Sequence, residues 1–492
     1  MVKTIMNFPQ FGDADSYKDL GNDFHRWIKS GENPFGFESP LRPLGSILLS
    51  SLPVFITDDP VYRNYLILLI NVAFMFIAVY SISGVLTTIF KDNEALSEKH
   101  ISLFSFSLVL LYFIPHLPVR AMDIQPISLV LLSLKIMMET TTRINNDKPI
   151  SYKNIFIILS LVSLAGLLKQ SWFVFGLILI LIMALDIRKE LLIQILKEKR
   201  VYLYAIAGLW GLFLQVYYVY YNYGDVWLYS SESMEAYSAA WKYPNIALFA
   251  YTEPAHNAYL LKADSSVTYI EWIIVKLYFT VFVHDLAFYH GYIPYEYSVF
   301  YTNKTILSLM LLIELSLIGV LLATLFKGVS KVKLLSVFII FIVLFMTWKS
   351  HVEIRNFIMP RMFIGILIVY WLVVMPSKLK LYKKQYVLPT IIILIVSITV
   401  INIYIKNQNE TLGRSSLLSY LEKQVDYVKM YRLSEVGVNA LAVDEGRMME
   451  KLLEIKSRIY VKDNENKYVL SVLDVQNIIY ENQSYIDGLQ VK

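Results

Sequence analysis

The run YLILLINVAFMFIAVYSISGVLTTIF, residues 65–90, decides the class of fold, because it contains no charged side chain. Wound as an α-helix at 1.5 Å per residue, it is longer than the ~30 Å needed to cross a hydrocarbon core. Similar runs follow at Thr305–Phe326 and Leu388–Ile405. Across all 492 residues, 56% are apolar and 17% charged, against about 25% charged in soluble domains. Such blocks exclude a single soluble globule, a disordered chain and a disulfide scaffold. An all-α polytopic integral membrane protein is expected.

Outward from the decisive run, the sequence predicts about ten spans, near 65–90, 101–117, 124–140, 154–168, 171–187, 201–221, 305–326, 333–348, 357–375 and 388–406. Each is an apolar run of helical length without the turn punctuation of barrel strands. Three regions follow: a first external segment 1–64 with an acidic motif and interfacial helices, a helical bundle 65–406 with an aromatic-rich external segment 222–304, and a soluble tail 407–492. Ser416–Tyr431 and Glu445–Ile459 in the tail read as helices, and Val436–Val443 and Lys467–Val472 as strands, which makes a small α+β appendage. Tyr269–Tyr289, interrupted by Glu271, Lys276, His284 and Asp285, reads as interfacial or re-entrant.

Lysine and arginine set the orientation. One series of short loops carries Lys91 and Lys99, then Arg143, Lys148 and Lys153, then Arg188, Lys189, Lys197, Lys199 and Arg200, then Lys327, Lys331 and Lys333, and finally Lys378 to Lys384. The alternate loops carry little besides Arg120, Lys169, Lys349 and Arg355. The first series is therefore expected inside and the second outside. That asymmetry accounts for the net charge of +5 without a nucleic-acid partner. With no cysteine, thiol chemistry and disulfides are excluded. No GxxxxGK[ST] or GxGxxG phosphate loop is present.

Four polar groups lie on the outward loops. Asp13 and Asp15, ahead of Tyr17, suit removal of a hydroxyl proton or capture of a divalent cation; such acids also cap helices or are merely solvated. His116, Arg120 and Asp123 share the next outward turn, where Arg120 and Asp123 can pair across a helical turn. Lys169, between two strongly apolar spans, can bind a lipid phosphate or snorkel to the interface. Arg355 and Arg361, at the outer end of the 357–375 span, can grip a phosphate in bidentate fashion or simply anchor the span.

In this order the motifs resemble the GT-C glycosyltransferases, the superfamily that includes dolichyl-phosphate-mannose mannosyltransferases and aminoarabinose transferases. The shared elements are an acid followed by Tyr (Asp13, Tyr17), a loop bearing Gly31, Pro34, Pro40 and Pro43, then Arg120 with Asp123, Lys169, and the Arg355–Pro360 stretch. The likeness covers most of 8–375. It implies transfer of a sugar from a polyprenyl-phosphate-linked donor to a glycan, lipid or protein acceptor, outside the plasma (inner) membrane, with inversion. It further implies Asp13 as the base with Asp15 or Asp123 in support, Lys169, Arg120 and Arg355 on the lipid phosphate, and Tyr17 and Arg361 on the acceptor side. Two departures stand out. The family carries a transmembrane helix ahead of the acidic loop, so one is expected before Met1; and Asn356 stands where the family has an aromatic residue, with Pro360 one place further on. A transporter, a flippase or a polymerase of lipid-linked glycans is the alternative.

Overall fold

A computed structural model describes residues 13–39, 42–90, 97–113, 122–231, 304–349 and 358–379, together with four strands between 428 and 471. The described body is α-helical. Ahead of the long apolar run come α1 (Asp13–Lys29), a single 3-10 turn (Pro34–Gly36) and α2 (Leu44–Ile56). The run itself is α3 (Pro60–Ile89), started by Pro60 at the first helical position and by the Asp59 carboxylate, which accepts from the Val61 amide. There follow α4 (Glu98–Phe113), α5 (Ile124–Asn145), α6 (Tyr152–Leu168) and α7 (Gln170–Ala184). Next are α8 (Lys189–Lys197), α9 (Lys199–Gly208) and α10 (Trp210–Tyr223). The last described helices are α11 (Lys304–Lys327), α12 (Ser330–Lys349) and α13 (Ile358–Leu379).

Helix α5 sits at the centre, packed on α3, α6 and α7. Its Val130, Leu131 and Leu134 meet a core that includes Ile82 and Val85 of α3, Val162 of α6, Leu179 of α7 and Phe363 of α13. Burial is one-sided on α3, whose Tyr62, Leu69, Phe76 and Tyr80 are exposed. Among the described residues, Val61–Ile89 is the one single helix long and apolar enough to cross a membrane, and only 28% of its most apolar stretch is buried. Helices α9 and α10 would make a second such span if counted together. Tyr152–Leu168, Gln170–Ala184, Ser316–Lys327 and Ile358–Val373 are apolar but shorter.

The expected 201–221 span is broken rather than continuous. The axis bends by 51° between Gly208 and Trp210. At the break the Leu209 amide reaches back only three residues, to Ile206, and the Ser163 hydroxyl of α6 donates to the Gly208 carbonyl at 3.0 Å. Gly208 and Gly211 let the broken helix press on α6; a Cβ on Gly211 would stand 3.0 Å from the Ser163 carbonyl oxygen. A second difference is α8, a helix where the sequence predicts a cytoplasmic loop.

In the tail, β1 (Val428–Leu433), β2 (Val438–Val443), β3 (Tyr460–Lys462) and β4 (Lys467–Ser471) form an antiparallel sheet in the order β1-β2-β4-β3. The strands expected over Val436–Val443 and Lys467–Val472 correspond to β2 and β4. The end of the helix expected over Ser416–Tyr431 is instead β1, because residues 428–433 pair in full register with β2, Val428 opposite Val443 and Leu433 opposite Val438. Glu445–Ile459, Tyr269–Tyr289 and the 388–406 span lie outside the described residues.

Candidate functional site

The candidate residues gather at the end of the bundle where α5 begins and α6 ends. Asp123 occupies the N-cap position of α5 without bonding its own helix. Lys169 is the single extended residue between α6 and α7, closing one helix and opening the next. This tight turn presents the Lys169 ammonium to Asp123, with Nζ donating to Oδ1 at 2.9 Å. The Asp123 side chain is only 3% exposed and that of Lys169 23%. The sequence does not point to this pair: it offers Asp123 a partner in Arg120, which lies outside the described residues, and Lys169 a lipid phosphate or the membrane interface.

Beside the pair lies a polar layer that the sequence did not single out. Gln125 of α5 donates through Nε2 to the Asn71 Oδ1 of α3, and both side chains are buried. Gln125 Oε1 has no hydrogen-bond partner among the described residues. Asn71 is the only amide side chain in the 65–90 run, which is the signal that could have found it.

The first segment is fastened to this same end. A Cβ on Gly45 would lie 2.6 Å from the Leu167 carbonyl oxygen, so the start of α2 and the end of α6 touch through backbone. The Leu44 amide donates to Gln215 Oε1 of α10 at 3.0 Å, the Tyr218 hydroxyl to the Phe37 carbonyl at 2.8 Å, and Asn222 Nδ2 to the Phe35 carbonyl at 2.7 Å. Phe35, Phe37 and Leu44 are thus held by α10. Tyr17 of α1 is buried beneath Arg42, whose guanidinium lies 4.5 Å from the ring centroid and whose Nη1 donates to the hydroxyl at 3.3 Å. At the other side, Arg63 Nη1 donates to Asn22 Oδ1 at 3.1 Å and Nε to the Thr57 carbonyl at 2.7 Å, tying α1 to the junction of α2 and α3. An open apolar groove of about 600 Å³, lined by Ile56, Tyr62, Tyr65 and Leu69, runs along α3 below that junction.

Asp13 and Asp15 fall in the first turn of α1, ahead of Tyr17. Tyr17 and Arg361 both lie within helices rather than on loops, Arg361 buried in α13 next to Met362 and Phe363. Arg120, Arg355 and His116 lie outside the described residues. The structure therefore brings Tyr17, Arg42, Asp123 and Lys169 to one end of the bundle. Among the described residues no group of three or more His, Asp or Glu side chains is placed to hold a metal ion.

A second set of charges lies elsewhere. Lys135, midway along α5, pairs with Glu139 at 2.8 Å and lies over the Tyr80 ring at 4.6 Å. Its stem fills the space left by Gly84, where a Cβ would come within 2.5 Å of Cε. At the far end of the bundle, Lys331 of α12 meets Asp186 at 3.4 Å and Thr142 at 2.9 Å.

Compared with known proteins, the chain matches no family model, no curated protein and no solved structure.

Proposed function

We propose that the chain is a polytopic membrane glycosyltransferase of about ten spans, acting in the plasma (inner) membrane on a polyprenyl-phosphate-linked sugar. The tail would form an external α+β appendage, and the sugar acceptor would be a glycan, lipid or protein hydroxyl. One observation carries the reading: the acid-bearing start of α1, held by Tyr17 and Arg42, shares one end of the bundle with the Lys169–Asp123 pair. A lipid-phosphate transferase needs its base and its phosphate-binding cation on one face of the membrane. The exposed apolar flank of α3 supports the membrane part, since water would tolerate so continuous a patch poorly.

In this mechanism Asp13 takes the proton from the acceptor hydroxyl as its oxygen bonds to the anomeric carbon. The bond from that carbon to the phosphate oxygen breaks with inversion. Its electron pair stays on the departing polyprenyl phosphate, where Lys169, joined by Arg120 or Arg355, stabilises the charge. Asp123 keeps the ammonium aimed and limits its mobility before the donor arrives. An activated lipid phosphate supplies the driving force, so no nucleotide is required.

The test uses membranes containing wild type or Asp13→Asn with a panel of radiolabelled polyprenyl-phosphate sugars. Label leaves the lipid with wild type and stays with the variant, at equal insertion; equal release from both would remove Asp13 as base. Lys169→Ala raises the donor KM about tenfold or more, since a charge-assisted contact is worth ~1.5–3 kcal/mol, and leaves acceptor KM near its original value. The 51° break between α9 and α10 favours a second reading, a transporter of lipid-linked sugars, because broken helices mark many such proteins. Movement of intact labelled lipid across the bilayer, without release of sugar, would select it.

A further inference from the structure

We infer that α8 and the start of α9 form a binding surface for anionic phospholipid headgroups, at the end of the bundle opposite Lys169. This inference rests on the membrane reading above but not on sugar transfer. Helix α8 packs against the last turn of α5. Its Ile195, with Leu191 and Leu192, packs on Ile144 and Ile187, and the residue just ahead of it, Arg188, donates its amide to Asn145 Oδ1 at 3.1 Å. Asn145 in turn donates to the Asp186 carbonyl at 2.8 Å, and the Arg188 guanidinium pairs with Asp147. With that side buried, Lys189, Ile193 and Lys197 fall at i, i+4 and i+8 on the outward face, with Leu196 beside them.

Two properties of this face point to lipid. Ile193 is 44% and Leu196 54% exposed, and Leu203, Ile206 and Trp210, which follow along α9 and the start of α10, are exposed as well. Cations flank the first two: Lys189, Lys197, Lys199 and Arg200 are exposed, and among the described residues none of the four forms an ion pair. Apolar side chains set between unpaired cations fit the boundary between headgroups and acyl chains. An acidic protein would satisfy the lysines but leave the exposure of Ile193 and Leu196 without a reason. A lipid phosphate accepts from the ammonium groups while its chains cover the leucines.

The full chain is purified and inserted into nanodiscs of phosphatidylcholine containing one quarter phosphatidylglycerol. Native mass spectrometry then counts the lipids it retains. The retained ratio of phosphatidylglycerol to phosphatidylcholine is expected to exceed that of the disc roughly fivefold or more, since each cation near an anionic headgroup is worth about fivefold. The variant K189Q/K197Q/K199Q/R200Q brings the ratio down to that of the disc without moving the melting temperature, and I193S/L196S lowers retention of both lipids. Retention by wild type in proportion to composition overturns the inference, as does selectivity that survives the four substitutions. Capture of polyglutamate by wild type but not the variant, without lipid preference, replaces the lipid with an acidic protein. A chain that stays soluble and never enters the discs takes down the membrane reading itself, and this surface with it.

Discussion

At the Asp123 end of the bundle the cations drawn into the structure have partners, Lys169 in Asp123, Arg42 in Tyr17, and Arg63 in Asn22 and Thr57, while Lys29 and Glu32 at the end of α1 stay exposed. The Asp186 end has one covered pair, Lys331 with Asp186, and around it a scatter of exposed cations. Covered charges hold their geometry, because leaving either partner alone in the interior is costly. Exposed ones are mobile and screened, and contribute through their number and sign. The first end is built to position groups and the second to meet a charged surface.

Cutting one cation at each end breaks the comparison most sharply. Lys169→Met strips the cation from nearly buried Asp123 and is expected to cost about 3–5 kcal/mol, read as a large drop in melting temperature in detergent. Lys189→Met stays within about 0.5 kcal/mol. The double variant K169M/D123N recovers much of the loss; if it recovers none, the pair is not what holds this end together. Gly45→Ala comes next. Its new Cβ would meet the Leu167 carbonyl oxygen at 2.6 Å, and such overpacking costs about 1–3 kcal/mol. Gly319→Ala in α11, with nothing within 4 Å, is neutral or stabilising, and proteolysis of the 33–44 segment should rise only in the first variant.

The smallest effect is a pH dependence confined to the first end. His25 stands edge-on to Phe55 at 4.7 Å, and its pKa is held below the usual 6.5, first by burial and then by Lys29 and Arg63, with Asp58 opposing. Folding therefore disfavours the imidazolium. The α1–α2 contact keeps its full stability above pH 6.5 and weakens as pH falls from 6.5 through the lowered value. Melting curves between pH 7.5 and 5 should show a steeper acid loss in wild type than in His25→Gln; parallel curves would assign the dependence to another group.

Apolar runs are strong signals, so α3 to α7 lie close to where the sequence alone predicts them. What escaped depends on partners distant in sequence. Lys169 and Asp123 are 46 residues apart, and no local pattern says that a one-residue turn will point one at the other. The break at Leu209 is hidden because residues 201–221 stay apolar throughout; its cause is the backbone of α6 pressing on two glycines. Helix α8 was masked by its lysines, which read as loop. In the tail, β1 shows its alternation only once β2 supplies a register. The buried Asn71–Gln125 contact was legible in part, as a lone amide in an apolar run.

The elbow at Leu209 has a mechanical consequence. Helix α9 follows directly from the basic face, while α10 ends among Tyr218 and Asn222, which grip residues 35 and 37. With 14 residues, α10 is a rod about 21 Å long. A change of ten degrees at the elbow would sweep its tip by roughly 4 Å, more than the length of any hydrogen bond in the clamp. The Ser163 hydroxyl on the Gly208 carbonyl is therefore the pin of a lever, one end of which rests beside the lysines and the other on the loop that covers Tyr17.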